Sequence, residues 1–283
     1  MQEKHVQDIN PTVFAFGENW RHYADGIDER HIEQAIAGLR RLFGDAPLTG
    51  KRFLDLGCGS GIHAAAAVRL GATVTALDRD ATCVATTRAV LQRFCPEHTA
   101  IVERADILTL TPETFGRFDY VYSWGVLHHT GDLRGALRRA CALVAPQGLL
   151  AIAIYKKSWL CWAWALEKRW YTERASPRAR RWAQRLYQAA WRLNLTLKGI
   201  DYNTYVREYP RARGMRFETD VADWLGGWPY ESATRSQIEA WVGREGFTLV
   251  HCNVSPSRLG GRTLGLFGTR CDEFVFRRSD SSP

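Results

Sequence analysis

Hydrophobic positions along the chain fall into two alternating patterns. Short apolar runs at 52–56, 73–78, 99–105, 119–124 and 149–155 read as strands. Between them, residues 61–70, 80–94 and 132–144 carry apolar residues at helical spacing. An earlier helical stripe over 28–44 (Ile32, Ile36, Leu39, Leu42, Phe43) leads toward the first strand. A helix over 236–245 is followed by apolar runs at 247–254 and 273–278. Alternation of this kind predicts right-handed crossovers and a parallel sheet covered by helices on both faces, a doubly wound α/β fold. Between the fifth strand and the last helix the pattern changes. There Trp182, Leu186, Ala189, Leu193 and Leu197 make one helical stripe, with Arg178, Arg181, Arg185 and Arg192 on its flanks. An insert that leaves a parallel strand at its carboxyl end is expected to cap the ligand-binding edge of the sheet. Its stripe can meet the body, a substrate or a membrane.

The first strand ends in glycines: FLDLGCGSG occupies residues 53–61. Glycines at 57, 59 and 61 let the backbone take positive φ and let a ligand approach the main chain. The alanine-rich helix that follows turns its N-terminal N–H groups toward that ligand. A phosphate-binding loop would need Gly-Lys-Ser/Thr at its end, and Ile62 and His63 stand there. A dinucleotide fingerprint would need glycine or alanine at 62. The next strand, TVTALD, ends on Asp78, placed to accept both ribose hydroxyls of a nucleoside. The loop has no lysine or arginine, which suits a ligand without a pyrophosphate.

The order of motifs resembles the class I S-adenosylmethionine-dependent methyltransferases. LDLGCGSG (54–61), Asp78, Ala105 to Ile107, FDYVYSWGVLHHTGD (118–132) and LVAPQGLLAIAIY (143–155) stand in that family's sequence order. The resemblance covers roughly residues 30–155 and, more weakly, 231–278; within the family it is similar to the small-molecule, quinone-biosynthesis-like branch. It implies a mostly parallel seven-stranded sheet with an antiparallel last strand and a helical cap inserted after the fifth strand. Four stretches are expected: 1–50, an aromatic segment and helix; 51–155, the cofactor core; 156–230, the cap; and 231–283, the last helix and two strands.

Charge separates the cap from the rest. The chain carries a net +8, yet residues 156–217 hold 15 Lys+Arg against 4 Asp+Glu, and the remainder is slightly acidic. The same segment holds six of the eleven tryptophans. No run reaches the ~18 apolar residues of a membrane span. The first residues lack a secretory apolar run. Seven cysteines without C-x-x-C spacing point to free thiols, and no His/Cys cluster has metal-site spacing. A cytoplasmic protein is expected, either free or held at a membrane surface through the cap.

The resemblance assigns the cofactor, S-adenosylmethionine, to named residues. Gly57, Gly59 and Gly61 would wrap its methionine part, with Cys58 a small neutral filler. Asp55 would pair with its ammonium, or fix the loop. Asp78 would take the ribose; Arg79 would lie against the adenine or face solvent. Asp106 and Ile107 would meet the adenine, unless Asp106 only makes a turn. Ser123 and Trp124 end the fourth strand facing the transferring methyl. Of His128 and His129 at most one can point at the chemistry, since neighbours cannot share a face; either is a candidate base. His63 reads as a surface residue. The aromatic segment FAFGENWRHY (14–23) offers Trp20, Arg21 and Tyr23 to the cofactor or substrate, or packs by its rings. Tyr155, Tyr230 and Glu231 are further candidates to line the substrate pocket.

Three acceptors fit these residues. The first is a small molecule, apolar, amphipathic or anionic, with O-methylation slightly favoured. The second is tRNA, rRNA or another nucleic acid tracked by the basic cap. The third is a lipid-like substrate at a membrane surface. Against the nucleic acid, no Asn/Asp-Pro-Pro-Tyr/Phe sequence follows the fourth strand. A cofactor-binding scaffold without catalysis is the remaining class. The sequence does not fix the acceptor atom or the oligomeric state.

Overall fold

The computed structural model describes residues 16–44, 48–213, 216–254 and 264–280. Phe14, in the aromatic N-terminal segment, lies outside them. Helices α1 (Gly17–Asp25) and α2 (Glu29–Phe43) precede β1 (Arg52–Leu56). Then α3 (Ile62–Arg69), β2 (Thr73–Asp78), α4 (Ala81–Phe94), β3 (Ile101–Arg104), the short α5 (Pro112–Phe115), β4 (Phe118–Trp124), α6 (Leu133–Ala142) and β5 (Val144–Tyr155) alternate. Four helices follow, α7 (Cys161–Glu173), α8 (Pro177–Leu197), α9 (Tyr202–Arg213) and α10 (Phe217–Gly226). Last come α11 (Arg235–Arg244), β6 (Phe247–Asn253) and β7 (Cys271–Arg278).

The strands form one sheet in the order β3-β2-β1-β4-β5-β7-β6. The first five run parallel, and β7 is antiparallel to both of its neighbours. The central strand β1 is buried from Phe53 to Leu56, as a parallel strand covered on both faces must be. Strand order reverses between β1 and β4. That switch point opens a crevice at the carboxyl ends of the strands, where ligands of such sheets bind.

Two features position the site. Asp80 caps two helices at once: its Oδ1 accepts from Thr82 N at the start of α4 (2.8 Å), and its Oδ2 accepts from Gly17 N at the start of α1 (3.1 Å). A side chain at Gly17 would collide with Asp80 and Thr82, so glycine allows α1 to sit this close. The second feature is a clasp. Lys156 bridges to Ala233, and Lys157 N donates to Ala233 O (3.0 Å). The four-helix segment therefore leaves and re-enters the sheet at one place, and packs around its own core of Tyr171, Tyr209, Phe217, Val221 and Leu225.

The structure departs from the pattern reading in three places. Strand β5 starts at Val144, where the pattern puts the strand at 149–155, because Val144 pairs with Phe118 across an irregularity in the ladder; Pro146 and Gly148 lie inside that irregular stretch. Among the described residues the insert contains four helices where the periodicity showed one. Helix α10 runs through Asp223 to Gly226, although aspartate and glycine are residues common in turns. On α8 the stripe of Trp182, Leu186, Leu193 and Leu197 is exposed; Ala183, Tyr187, Trp191 and Leu195 pack inward instead.

Candidate active site

The glycine loop is fixed by its neighbours. A Cβ at Gly57 would lie 2.5 Å from Val126, and one at Gly61 would lie 2.7 Å from Thr87 Cα; both residues hold positive φ. Gly59 N donates to Asp78 Oδ2 (3.0 Å), while Asp78 Oδ1 accepts from Asp80 N (2.9 Å). The carboxylate at the end of β2 is thereby locked across the loop. Trp20 of α1 lies against Gly59 from the other side.

A cavity of 1490 Å³ opens here and runs up beneath α8–α10. Of the expected cofactor contacts, Asp55, Gly57, Cys58, Gly59, Asp78, Arg79, Asp106 and Ile107 line it. Gly61 and Ser123 do not. Gly61 starts α3, and Ser123 is buried with its hydroxyl donated to Leu56 O (2.9 Å), tying β4 to β1. Cys58 accepts from Thr87 Oγ1 (3.2 Å); burial, with the Asp55 and Asp78 charges beside it, pushes its thiol pKa up and disfavours the thiolate. Asp106 Oδ1 accepts from Leu108 N (2.9 Å), which makes the turn and leaves Oδ2 for a ligand.

Asp55 is the clearest sign of a cationic ligand. It is almost fully buried, its Oδ2 has no partner, and burial together with the Asp78 charge raises its pKa to about 7. An orphaned buried carboxylate oxygen beside the glycine loop suits the ammonium and sulfonium of S-adenosylmethionine.

Of the expected substrate residues, Trp20, Tyr23, Trp124 and Tyr155 line the cavity. Arg21 points away and pairs with Glu18 (2.9 Å). Tyr230 and Glu231 are not among the lining residues. The Tyr230 hydroxyl meets Cys161 Sγ and Thr269 Oγ1 (both 3.3 Å), and Glu231 accepts from Leu133 N (2.8 Å), capping α6.

The two histidines diverge as adjacency requires. His129 lines the cavity; its Nδ1 donates to Pro229 O (2.7 Å), which leaves the Nε2 lone pair to accept. Burial lowers its pKa to about 4, with the positive Lys168 adding to the effect and the Pro229 carbonyl opposing it. His128 is wholly buried. Its Nδ1 accepts from Tyr155 N (3.4 Å), its Nε2 has no partner, and burial holds its pKa well below the ordinary value. His63 is no surface residue: it lines the cavity 4.8 Å from the Tyr122 ring, and burial lowers its pKa to about 4.

Sequence reasoning missed the upper half of the cavity. Tyr187, Trp191, Tyr205, Tyr209, Phe217 and Phe267 form an aromatic lobe there, with Trp224 at its junction with Tyr155 (ring centroids 5.6 Å). The i, i+4 pair Tyr187–Trp191, flanked by Ala183 and Leu195, was the available signal; the more apolar stripe beside it masked it. Behind Trp224, the buried Lys168 amine lies 3.6 Å from the indole centroid and donates to Trp224 O. Asn19 of α1 donates to Asp223 of α10, joining the N-terminal helix to the insert over the cavity. All seven cysteines are free thiols. No metal-binding group of His, Cys, Asp or Glu occurs among the described residues.

Fold and site together define a nucleoside-cofactor enzyme of the methyltransferase class. Residues 27–252 match the model of the methyltransferase domain family. The chain belongs to this family, whose cofactor is S-adenosylmethionine. Among its relatives, a ubiquinone biosynthesis O-methyltransferase of Rhodopseudomonas palustris (strain TIE-1) is 33% identical over 131 residues, 46% of this chain and 50% of that protein. One of the same name from Methylobacterium nodulans is 35% identical over 121 residues, 42% of this chain and 47% of the relative. The chain thus spans about half the length of the curated relatives it matches. A magnesium protoporphyrin IX methyltransferase of Synechocystis PCC 6803, solved with SAH bound, shares the fold with a TM-score of 0.52 at 15% identity, over 97% of this chain and 90% of that one.

Proposed function

We propose that this protein moves the methyl group of S-adenosylmethionine onto a hydroxyl of a small aromatic or lipid-like molecule held in the lobe beneath α8–α10. The observation that carries this reading is the continuity of one cavity. Asp55, Asp78 and the glycine loop lie at one end, an aromatic lobe lies at the other, and His129 and Tyr155 lie among its walls. Its 1490 Å³ exceeds the ~300–1000 Å³ of a typical single-ligand pocket, leaving room for cofactor and acceptor together. The O-methyltransferase names of the relatives favour oxygen as the acceptor atom.

When bound, the cofactor supplies a methyl group activated for in-line displacement. The chain's residues do the rest. Asp55 and Asp78 hold the cofactor's charged and ribose ends. Trp20, Tyr122 and Trp124 exclude water; the last two rings are stacked at 5.5 Å. The aromatic lobe orients the acceptor, which can supply much of the rate enhancement. His129 is neutral above about pH 4, and its Nε2 takes the acceptor's proton as the new bond forms.

The nucleic-acid reading loses its main support. Arg178, Arg181, Arg185 and Arg192 are exposed and absent from the cavity wall, while Asp220 and Asp223 line it. An anionic acceptor drawn in by those arginines loses support for the same reason. The test is to incubate the protein with methyl-labelled cofactor and cell extract, then separate lipid, small-molecule, protein and RNA fractions. Label in the lipid or small-molecule fraction is expected. Label confined to RNA or protein would overturn the reading.

A further inference from the structure

Six large apolar side chains of the inserted helices, Trp162 and Leu166 on α7 and Trp182, Leu186, Leu193 and Leu197 on α8, are 54–79% exposed. Single exposed apolar residues need no explanation, but aligned groups on two helices do. The spacing 182, 186, 193, 197 keeps those four on one line of α8. Arg181, Arg185 and Arg192, all exposed, each come one residue before a member of that line, so the arginine row is turned about 100° from it. Tyr187, which follows Leu186, is turned by about the same angle the other way, toward the cavity. Helix α8 therefore presents three strips side by side: one to the cavity, one apolar to solvent, and one cationic.

We infer that this apolar strip of α8, with the arginine row beside it, docks on the surface of an anionic phospholipid bilayer. An apolar strip with tryptophan, bordered by arginines whose charges stay at headgroup level, is the arrangement of a helix lying in a membrane interface. No helix among the described residues is long and apolar enough to cross a membrane, so contact at the surface is the geometry available. Charge decides against a second copy of the chain as occupant: the segment 156–217 is strongly basic, and pairing it with itself would bring like-charged rows together. Four of the six side chains are leucines, which offer no flat face for stacked bases, and this disfavours RNA. The cavity lies one helix away, on the neighbouring strip of α8. The inference does not depend on which acceptor is methylated.

The test is flotation of the purified protein with phosphatidylcholine vesicles, with and without roughly 30 mol% phosphatidylglycerol. Binding is expected only to the phosphatidylglycerol vesicles, and it should weaken as salt is raised. Two triple variants, L186S/L193S/L197S and R181Q/R185Q/R192Q, should each lose at least roughly 30-fold in vesicle affinity. Both should keep wild-type calorimetric affinity for S-adenosylhomocysteine, which reports an intact fold and a separate cofactor site. If the leucine variant loses that affinity, the single variant Trp182→Ser replaces it. Failure of the wild type to float, or equal flotation of the variants, would overturn the inference. So would a dimer in light scattering that the leucine variant dissolves, or RNA binding that the vesicles do not compete with.

Discussion

Asp55 and Asp78 sit near the ends of adjacent strands, and burial, with the Asp78 charge added, makes Asp55 costly to ionise. With its pKa raised to about 7, Asp55 titrates near neutrality in the free protein. Its raised value means that ionising it costs the free protein stability, progressively from about pH 4 to pH 7. A cation against Oδ2 removes that cost. Affinity for S-adenosylmethionine should therefore rise about tenfold per unit as pH climbs toward 7 and level off above it. Calorimetry in buffers of different ionisation enthalpy should show proton release on binding. Asp55→Asn should flatten the profile and weaken binding at pH 8. The histidines separate two roles by the same reasoning. His129→Ala should lower kcat by roughly 10²- to 10⁴-fold with little change in melting temperature. His128→Ala should lower stability by about 1–3 kcal/mol through the unpaired Tyr155 N–H and the lost packing. Much of this was legible: the Gly-x-Gly-x-Gly spacing and the acid ending β2 are local patterns with a chemical meaning. The fate of Tyr230, Glu231, Arg21 and Ser123 was not, because a side chain's partner across the fold leaves no trace in local spacing. His63 looked exposed only because Tyr122, which covers it, is 59 residues away.

Helix α1 is the element whose role depends most on tertiary contact. Its first N–H, that of Gly17, gains a partner from Asp80, its Trp20 covers Gly59, and its Asn19 reaches Asp223. It therefore ties the glycine loop to the insert as a strap across the cavity. Gly17→Val should clash with Asp80 and Thr82, loosen the strap and weaken cofactor binding, with a fall in affinity of roughly tenfold or more. A titration giving wild-type affinity would show that α1 is dispensable for the site. The strands and helices of the sheet were readable because period and glycine punctuation agree there. The insert was harder. On α8 two apolar lines lie side by side, and periodicity alone could not say which faces inward. The structure assigns the inner place to the aromatic line of Tyr187 and Trp191, whose rings meet Phe217 and Phe267, and leaves the leucine line outside.

At the scale of the whole molecule, one sheet and one insert divide the work. The sheet opens the proposed cofactor site at its switch point, and the insert builds an aromatic chamber above it. Trp191→Ala should raise the acceptor KM by roughly tenfold or more while leaving cofactor affinity unchanged, since its ring belongs to the chamber and not to the loop. The fold was predictable from the alternation of strands and helices and from the order of the motifs. The chamber's shape depends on packing among four helices far apart in sequence, and so does the acceptor's identity. The most direct measurement is a calorimetric titration of S-adenosylmethionine into the wild-type protein and into Asp78→Ala. The wild type should bind one molecule per chain. The variant, lacking the carboxylate that locks Gly59 and that we propose accepts the ribose, should bind at least about 100-fold more weakly. No heat from the wild type, or equal affinity in the variant, would contradict the account.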